Sequence, residues 1–429
     1  MEKSIWNETV QLPTFPAMEK EVKTDVLIIG GGLCGLLCAL RLEEAGVKAV
    51  LVEKNRIASG VTKNTTAKIT SQHGVIYSRI IKKYGKEMAR LYLTANEEAI
   101  SDYRKLWHGC ETVDAYTYSV ASRERIEKEV AAVQSLGYGA DFVENTALPF
   151  PVSGAIRFRN QAVFHPLNFI SHIVRKLNIY ENTEVVEFTP QYVKTNRGRI
   201  YAKKVIVATH FPFLNKHGAY FIKLYQHRSY VLAAKNAVQL PGVYVDEKDD
   251  GLSFRNYNDM LFIGSGGHRT GKKTDGWERG KQIIGTYFPK SEITNFWATQ
   301  DCISLDGIPY IGRYASTPNL FVATGFNKWG MTSSMVAANL LRDLILDKQN
   351  PYEKLFSPKR PLLSTKLLIN GIESVSGMIR PTKPRCPHLG CALRWNKQEQ
   401  SWDCPCHGSR FSKEGKLLNN PATGDIKKP

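Results

Sequence analysis

Residues 385 to 411 read RCPHLGCALRWNKQEQSWDCPCHGSRF and gather Cys386, His388, Cys391, Cys404, Cys406 and His407 into one short stretch. Thiolates and neutral imidazoles are ligands for zinc and for iron–sulfur clusters, and neighbouring cysteines also pair as disulfides. The chemistry open to the stretch is a metal clip, a covalent knot or a redox centre. Spacing sorts the six residues: Cys386-x-His388 is followed, fifteen residues on, by Cys404-x-x-His407, so each segment offers one cysteine and one histidine. Zinc accepts the same ligands, but its sites commonly rest on C-x-x-C pairs, and this arrangement has none. Cys34, Cys38, Cys110 and Cys302 are scattered among apolar or helical residues, where a free thiol behaves as a small hydrophobe.

A second chemical group lies in DVLIIGGGLCGLLCALRLEEAGVKAVLVE, residues 25 to 53. Gly30, Gly32 and Gly35 fill G-x-G-x-x-G, and Glu53 follows at the distance expected of a carboxylate that binds ribose hydroxyls. The first glycine allows a tight turn, the second lets a pyrophosphate approach the backbone, and the third lets helix pack on strand. The diphosphate then meets the positive end of the helix. Only one such fingerprint is present, since the glycines of FIGSGGHRTGKK, from Phe262, lead into no helical pattern. One dinucleotide is therefore expected.

These groups need elements to carry them. Asp25 to Ile29 reads as a buried strand, Leu33 to Ala45 as a helix stopped by Gly46, and Ala49 to Val52 as a second strand ending on Glu53. Ile81, Tyr84, Met88, Leu91, Ala95, Ala99, Tyr103 and Leu106 recur at three- and four-residue steps and mark one long amphipathic helix. GAIRFRNQAVFHP, SYVLAAK, GVYVDE and GLSFRNYNDMLFIGSG read as strands.

With 429 residues, 42% hydrophobic and 23% charged, the chain has the composition of an ordinary globular protein of more than one domain. The longest apolar run is too short and glycine-rich to span a bilayer and the start has no secretory pattern, so a cytoplasmic protein without a transmembrane segment is expected. The net charge of +18 is spread along the chain rather than gathered into a stripe with aromatics, so no nucleic-acid partner is expected. The excess serves either solubility or docking of an acidic electron-transfer protein.

The cradle, KNRIASGVTKNTTAKITSQHG after Glu53, KKVIVATHFPF at 203 to 213, and DGIPYIGRY with NLFVATGFNKWGMTSSMVAANLLRDLI at 306 to 345 resemble the D-amino-acid oxidase-like FAD oxidoreductases, the family of glycine and sarcosine oxidase. The resemblance spans about residues 22 to 347 and implies that the dinucleotide is FAD. It further implies that Ser59, Gly60, Thr65, Thr66 and Ala67 line the pyrophosphate and ribityl chain, that Val186 meets the adenine, and that Ala208 and Thr209 end a cofactor strand. Gly325 and Gly330 lead into a helix whose start, Gly330, Met331 and Thr332, faces the pyrimidine edge of the flavin. Free amides there favour the negative charge of a reduced ring.

The six-ligand stretch, with CPHLGC, CPCHGSRF and GKLLNNPA, resembles the loops of Rieske [2Fe-2S] proteins. The resemblance implies that Cys386, His388, Cys404 and His407 hold the cluster and that Cys391 and Cys406 form a disulfide between its loops. Imidazole ligation places such clusters at ~ −150 to +300 mV, where they accept single electrons from a flavin. The residues ahead of the first loop are few for a Rieske domain, so an abbreviated base that leans on the flavoprotein body is expected.

The expected fold is α/β: a Rossmann-like FAD-binding part (22–75, 150–215, 300–347), an antiparallel-sheet substrate part (76–149, 216–299), and a small all-β Rieske module over 361–429 after a body of 1–360. Candidate substrate residues are His73 and His268 as proton acceptors and Arg255 as a carboxylate clamp. The expected function is oxidation of a small organic substrate, an amine or amino acid, with electrons leaving through the cluster to an external acceptor. The rivals are a reductase running the other way and a non-catalytic redox carrier or sensor.

Overall fold

The computed structural model describes residues 3–214, 218–314, 317–361, 367, 377–379 and 381–426. Most of the short segment that bears on the abbreviated base of the Rieske module falls outside these residues. Among the described residues no helix is long and apolar enough to cross a membrane.

A first sheet of eight strands carries the nucleotide cradle. Its path places β16 (Tyr310–Arg313), β17 (Leu320–Thr324), β10 (Gly198–Val207), β1 (Val22–Ile29), β2 (Ala49–Val52) and β7 (Ile179–Tyr180) side by side, with β8 (Val185–Phe188) and β9 (Val193–Thr195) paired off β10. The pairings from β17 to β7 are parallel, and the strands are apolar on both faces, as a parallel sheet covered on both sides requires. The helices Leu33–Glu44 and Gly330–Ile345 pack against each other on this sheet.

A second sheet of nine strands runs β15 (Glu292–Ser304), β11 (Leu224–Lys235), β14 (Met260–Arg269), β13 (Ser253–Tyr257), β12 (Val243–Asp246), β4 (Glu111–Ser119), β6 (Gly154–Val163) and β3 (Lys68–Ile69), with β5 (Ala140–Val143) beside β6. It is antiparallel except for β4 with β12. Because β6 pairs with β4, residues 154–163 belong to this sheet, although the sequence division grouped 150–215 with the cofactor part. The long helix is Tyr77–Leu106, and Gly85, at φ 86°, breaks its phase. Ile80, Ala89, Tyr92 and Leu93 consequently take inward positions, while Ile81, Tyr84, Met88 and Leu91 of the expected stripe are half-buried.

The third sheet, β18 (Arg394–Asn396), β19 (Ser401–Asp403), β20 (Arg410–Ser412) and β21 (Leu417–Asn419), is an antiparallel meander of short strands. Its core consists of Leu393, Phe411, Ala422 and the four cysteines of the cluster stretch. Among the described residues this core is small, and the disulfide, the metal centre and the contacts with the body add to what holds the module.

Candidate functional site

A cavity of about 1040 Å³ lies between the first two sheets and reaches the third. Gly30, Gly32, Glu53, Ser59, Gly60, Thr65, Thr66, Val186, Ala208, Thr209, Gly330 and Met331 line it, whereas Gly35, Ala67, Gly325 and Thr332 stand behind this lining. Gly35 lets helix and turn pack closely, since a Cβ there would lie 1.9 Å from the carbonyl oxygen of Gly30. A Cβ on Gly32 would meet only Thr62 Oγ1, at 3.5 Å, on a cradle open to the cavity. Backbone amides at the helix start, the open glycine and a carboxylate at the end of β2 are the donor and acceptor set that a dinucleotide needs.

The loop Thr65–Ala67 is fastened from outside the cavity. Trp6 Nε1 donates to the Thr65 carbonyl at 2.7 Å, and Arg255 donates to the carbonyls of Thr66, Ala67 (2.8 Å) and Phe164 (3.0 Å). Arg255 is 1% exposed and absent from the cavity wall, and burial pushes its pKa down to about 9. The clamp expected for a substrate carboxylate is corrected: this guanidinium orders the cofactor loop.

His73 is corrected in the same way. Its Nε2 lies 2.7 Å from the Thr70 carbonyl, which can only accept, so Nδ1 accepts from Tyr92 Oη at 2.6 Å. Burial pulls its pKa to about 3, the ring stacks on Trp329, and Nε2 lies 3.0 Å from Thr332 Oγ1. A histidine so held cannot take a substrate proton. It steadies the start of Gly330–Ile345, as does Tyr103, whose hydroxyl donates to the Met331 carbonyl at 2.8 Å. His268 also lies off the cavity wall; its ring stacks on Tyr230, its Nδ1 is 2.9 Å from the Gly266 carbonyl, and burial lowers its pKa.

Among the charged cavity residues that were missed are Lys68, Lys328, Arg228 and Asp301. Lys68 directly follows the cofactor loop, and Lys328 sits inside the motif GFNKWGM, a signal available in the sequence. Arg228 and Asp301, on the paired strands β11 and β15, carried no such signal. Burial pushes Asp301 up to about 6 against the pull of Lys328 and Arg228. Its carboxyl can therefore exchange a proton near neutral pH.

In the third sheet, Cys391 and Cys406 form a disulfide. The sulfurs of Cys391, Cys404 and Cys406 cluster within 4.8 Å, but the disulfide occupies two of them, so that trio is not a ligand set. Cys386 and Cys404 share a hydrogen bond that lowers the Cys386 pKa to about 7 and raises that of Cys404. Amides of His388 and Leu389 approach the first sulfur and those of Cys406 and His407 the second, an arrangement that favours thiolate. The rings of His388 and His407 stand 5.1 Å apart, and burial keeps both neutral, the form that binds metal. Two thiols and two imidazoles, one of each per loop, fit a [2Fe-2S] centre.

The body grips the second of these loops. Arg269 donates to the carbonyls of Pro405 (3.1 Å) and Cys406 (2.8 Å), Gln226 to that of His407 (3.1 Å), and Gln300 to that of Gly408 (2.9 Å). Gln300 also donates to Gln226 Oε1 at 2.6 Å. Gly408, at φ 85°, admits this approach, since a Cβ would lie 2.4 Å from that of Gln226. Asn420 donates to the carbonyls of Thr209 and Phe211 at the end of β10. Arg410 and residues 417 to 420, 422 and 423 complete the cavity wall.

Comparison with known proteins agrees with this geometry. The family described as FAD dependent oxidoreductase matches residues 25–344. The chain belongs to that family. The Rieske [2Fe-2S] domain matches residues 359–429 of this FAD-dependent oxidoreductase. The Rieske 2Fe-2S iron-sulfur protein YhfW of Bacillus subtilis (strain 168) is 34% identical over 99% of this chain and 97% of its own. Gamma-glutamylputrescine oxidoreductase of Escherichia coli (strain K12) is 26% identical over 45% of this chain and 50% of its own. The crystal structure of glycine oxidase from Geobacillus kaustophilus shares the fold, with a TM-score of 0.65, 16% identity, and coverage of 80% of this chain and 100% of its own. The FAD-dependent oxidoreductase is thus an enzyme with two redox groups, FAD and a [2Fe-2S] cluster.

Proposed function

We propose that the enzyme oxidises a small amine or amino acid and passes the electrons from its flavin to the Rieske cluster, and from there to an external acceptor. The observation that carries the reading is the grip on the second cluster loop: Gln226, whose strand walls the cavity, hydrogen-bonds the backbone of cluster ligand His407. Two redox sites held this way are built to exchange electrons without domain movement.

When bound, the flavin takes two electrons from an organic substrate and the cluster forwards them singly. The residues that line the cradle hold the cofactor, and the start of Gly330–Ile345 presents amides to it. Lys328 offers positive charge to a substrate carboxylate, and Asp301 exchanges the proton of its amine. The names of two relatives, glycine oxidase and gamma-glutamylputrescine oxidoreductase, both contain compounds with amino groups. An acidic electron-transfer protein is the acceptor favoured by the charge of +18.

Anaerobic addition of amines and amino acids to the holoenzyme tests the proposal. Flavin bleaching followed by a Rieske-type EPR signal is expected. Reduction of the flavin by a substrate while the cluster stays oxidised would overturn the electron path. Reduction of both groups by dithionite, with no amine or amino acid bleaching the flavin, would overturn the substrate class.

A further inference from the structure

We propose that Lys68 is the cation that stabilises the negative charge gained by the bound flavin ring on reduction. The inference rests on the reading of an enzyme whose flavin is reduced, and it assigns that site a potential-setting residue.

Lys68 opens β3 immediately after the cofactor loop. Its side chain is 9% exposed and lines the cavity, and its one hydrogen bond among the described residues goes to Thr66 Oγ1 at 3.0 Å. An ammonium has three donors, so two remain for whatever fills the cavity. Beside it lies Arg255, buried and bonded only to carbonyls. Neither cation forms an ion pair among the described residues, and Glu111 is the carboxylate whose field reaches Arg255.

Two buried like charges without a counter-ion are costly even after the protein relaxes around them. Burial and the neighbouring Arg255 accordingly pull the Lys68 ammonium down to about 7. The region lacks an anion that the occupied site must supply. Of these two cations, Lys68 lines the cavity and Arg255 does not.

Position selects among the anions FAD brings. β3 continues into Thr70, whose carbonyl accepts from Thr332 Oγ1 at 3.2 Å. That bond ties the Lys68 segment to the helix start Gly330–Thr332 and thus to the flavin end of the cofactor. The oxidised ring is neutral and becomes anionic on two-electron reduction, so a fixed cation favours the reduced state over the oxidised one.

The test uses the FAD-loaded full chain with Lys68→Met, Lys68→Gln and Lys68→Arg, titrated with mediators and dithionite so that no substrate is needed. The two neutral variants are expected to lower the flavin potential by ~30 mV or more, the equivalent of a tenfold loss for a two-electron couple. Lys68→Arg should restore it, and the dissociation constant of oxidised FAD should stay near that of the wild type. An unchanged potential with weakened binding of oxidised FAD would make Lys68 a phosphate counter-ion and overturn the proposal. So would an unchanged potential with only the substrate KM raised, or neutral variants that hold no oxidised FAD while the arginine variant does. A wild type that no amine reduces would defeat the proposed function and leave this measurement intact.

Discussion

Glu399 joins the Rieske module to the body through Arg228 and is also held by a cation of its own module. It pairs with Arg228 of β11 and, at 2.9 Å, with Arg410 of β20, while Arg410 also holds Asp403 at 2.9 Å. All four side chains are at most 7% exposed. Burial alone would raise the Glu399 carboxyl, but the two guanidiniums outweigh it and hold its pKa near 2 rather than 4.5. At about 1.4 kcal/mol per factor of ten in proton affinity, that difference is about 3 kcal/mol. Removing one member of a buried pair gives an independent figure of ~3–5 kcal/mol. Glu399→Gln keeps the volume and removes the charge, so it should destabilise the seated module by about 3 kcal/mol. Because the folded pKa is depressed, this stability is present above pH 4.5 and is lost as pH falls toward 2. Urea unfolding of the holoenzyme, followed by cluster absorbance across this range, measures both effects. A loss under ~1 kcal/mol, the scale of an exposed pair, would refute the reasoning, as would a variant that keeps the wild-type acid dependence.

Two further outcomes follow from the same contacts. Gln226→Leu removes its hydrogen bond to the His407 carbonyl and loosens the grip on the cluster loop at a cost of ~0.5–1.5 kcal/mol; stopped-flow spectra should show slower cluster reduction with flavin reduction unchanged, and an equal cluster rate would refute a role for Gln226. Arg255→Met frees the cofactor loop from its carbonyl anchor, so FAD should dissociate more readily while preference between carboxylated and uncarboxylated amines stays the same; a changed preference would return Arg255 to the substrate site.

The chemistry of both cofactor sites was legible in the sequence because it depends on local spacing. Gly30, Gly32, Gly35 and Glu53 belong to one strand–turn–helix–strand unit, and each cluster loop carries its cysteine and histidine within a few residues. The Cys391–Cys406 pairing followed from resemblance and is present in the structure. The substrate side was not legible in this way. Arg255, His73 and His268 had suitable types, but whether a side chain on a strand or loop faces a cavity or the packing behind it depends on partners distant in sequence. Phe164 supplies a carbonyl to Arg255, and Thr332 lies beside His73, 259 positions away. The same holds for the electron port. Its ligands could be counted along the chain, but the carbonyls of residues 405 to 408 meet Arg269, Gln226 and Gln300 only after β11, β14 and β15 pair. Sequence spacing determined which groups the protein holds; the pairing of distant strands decided which side chains meet them, because register sets which face each residue presents.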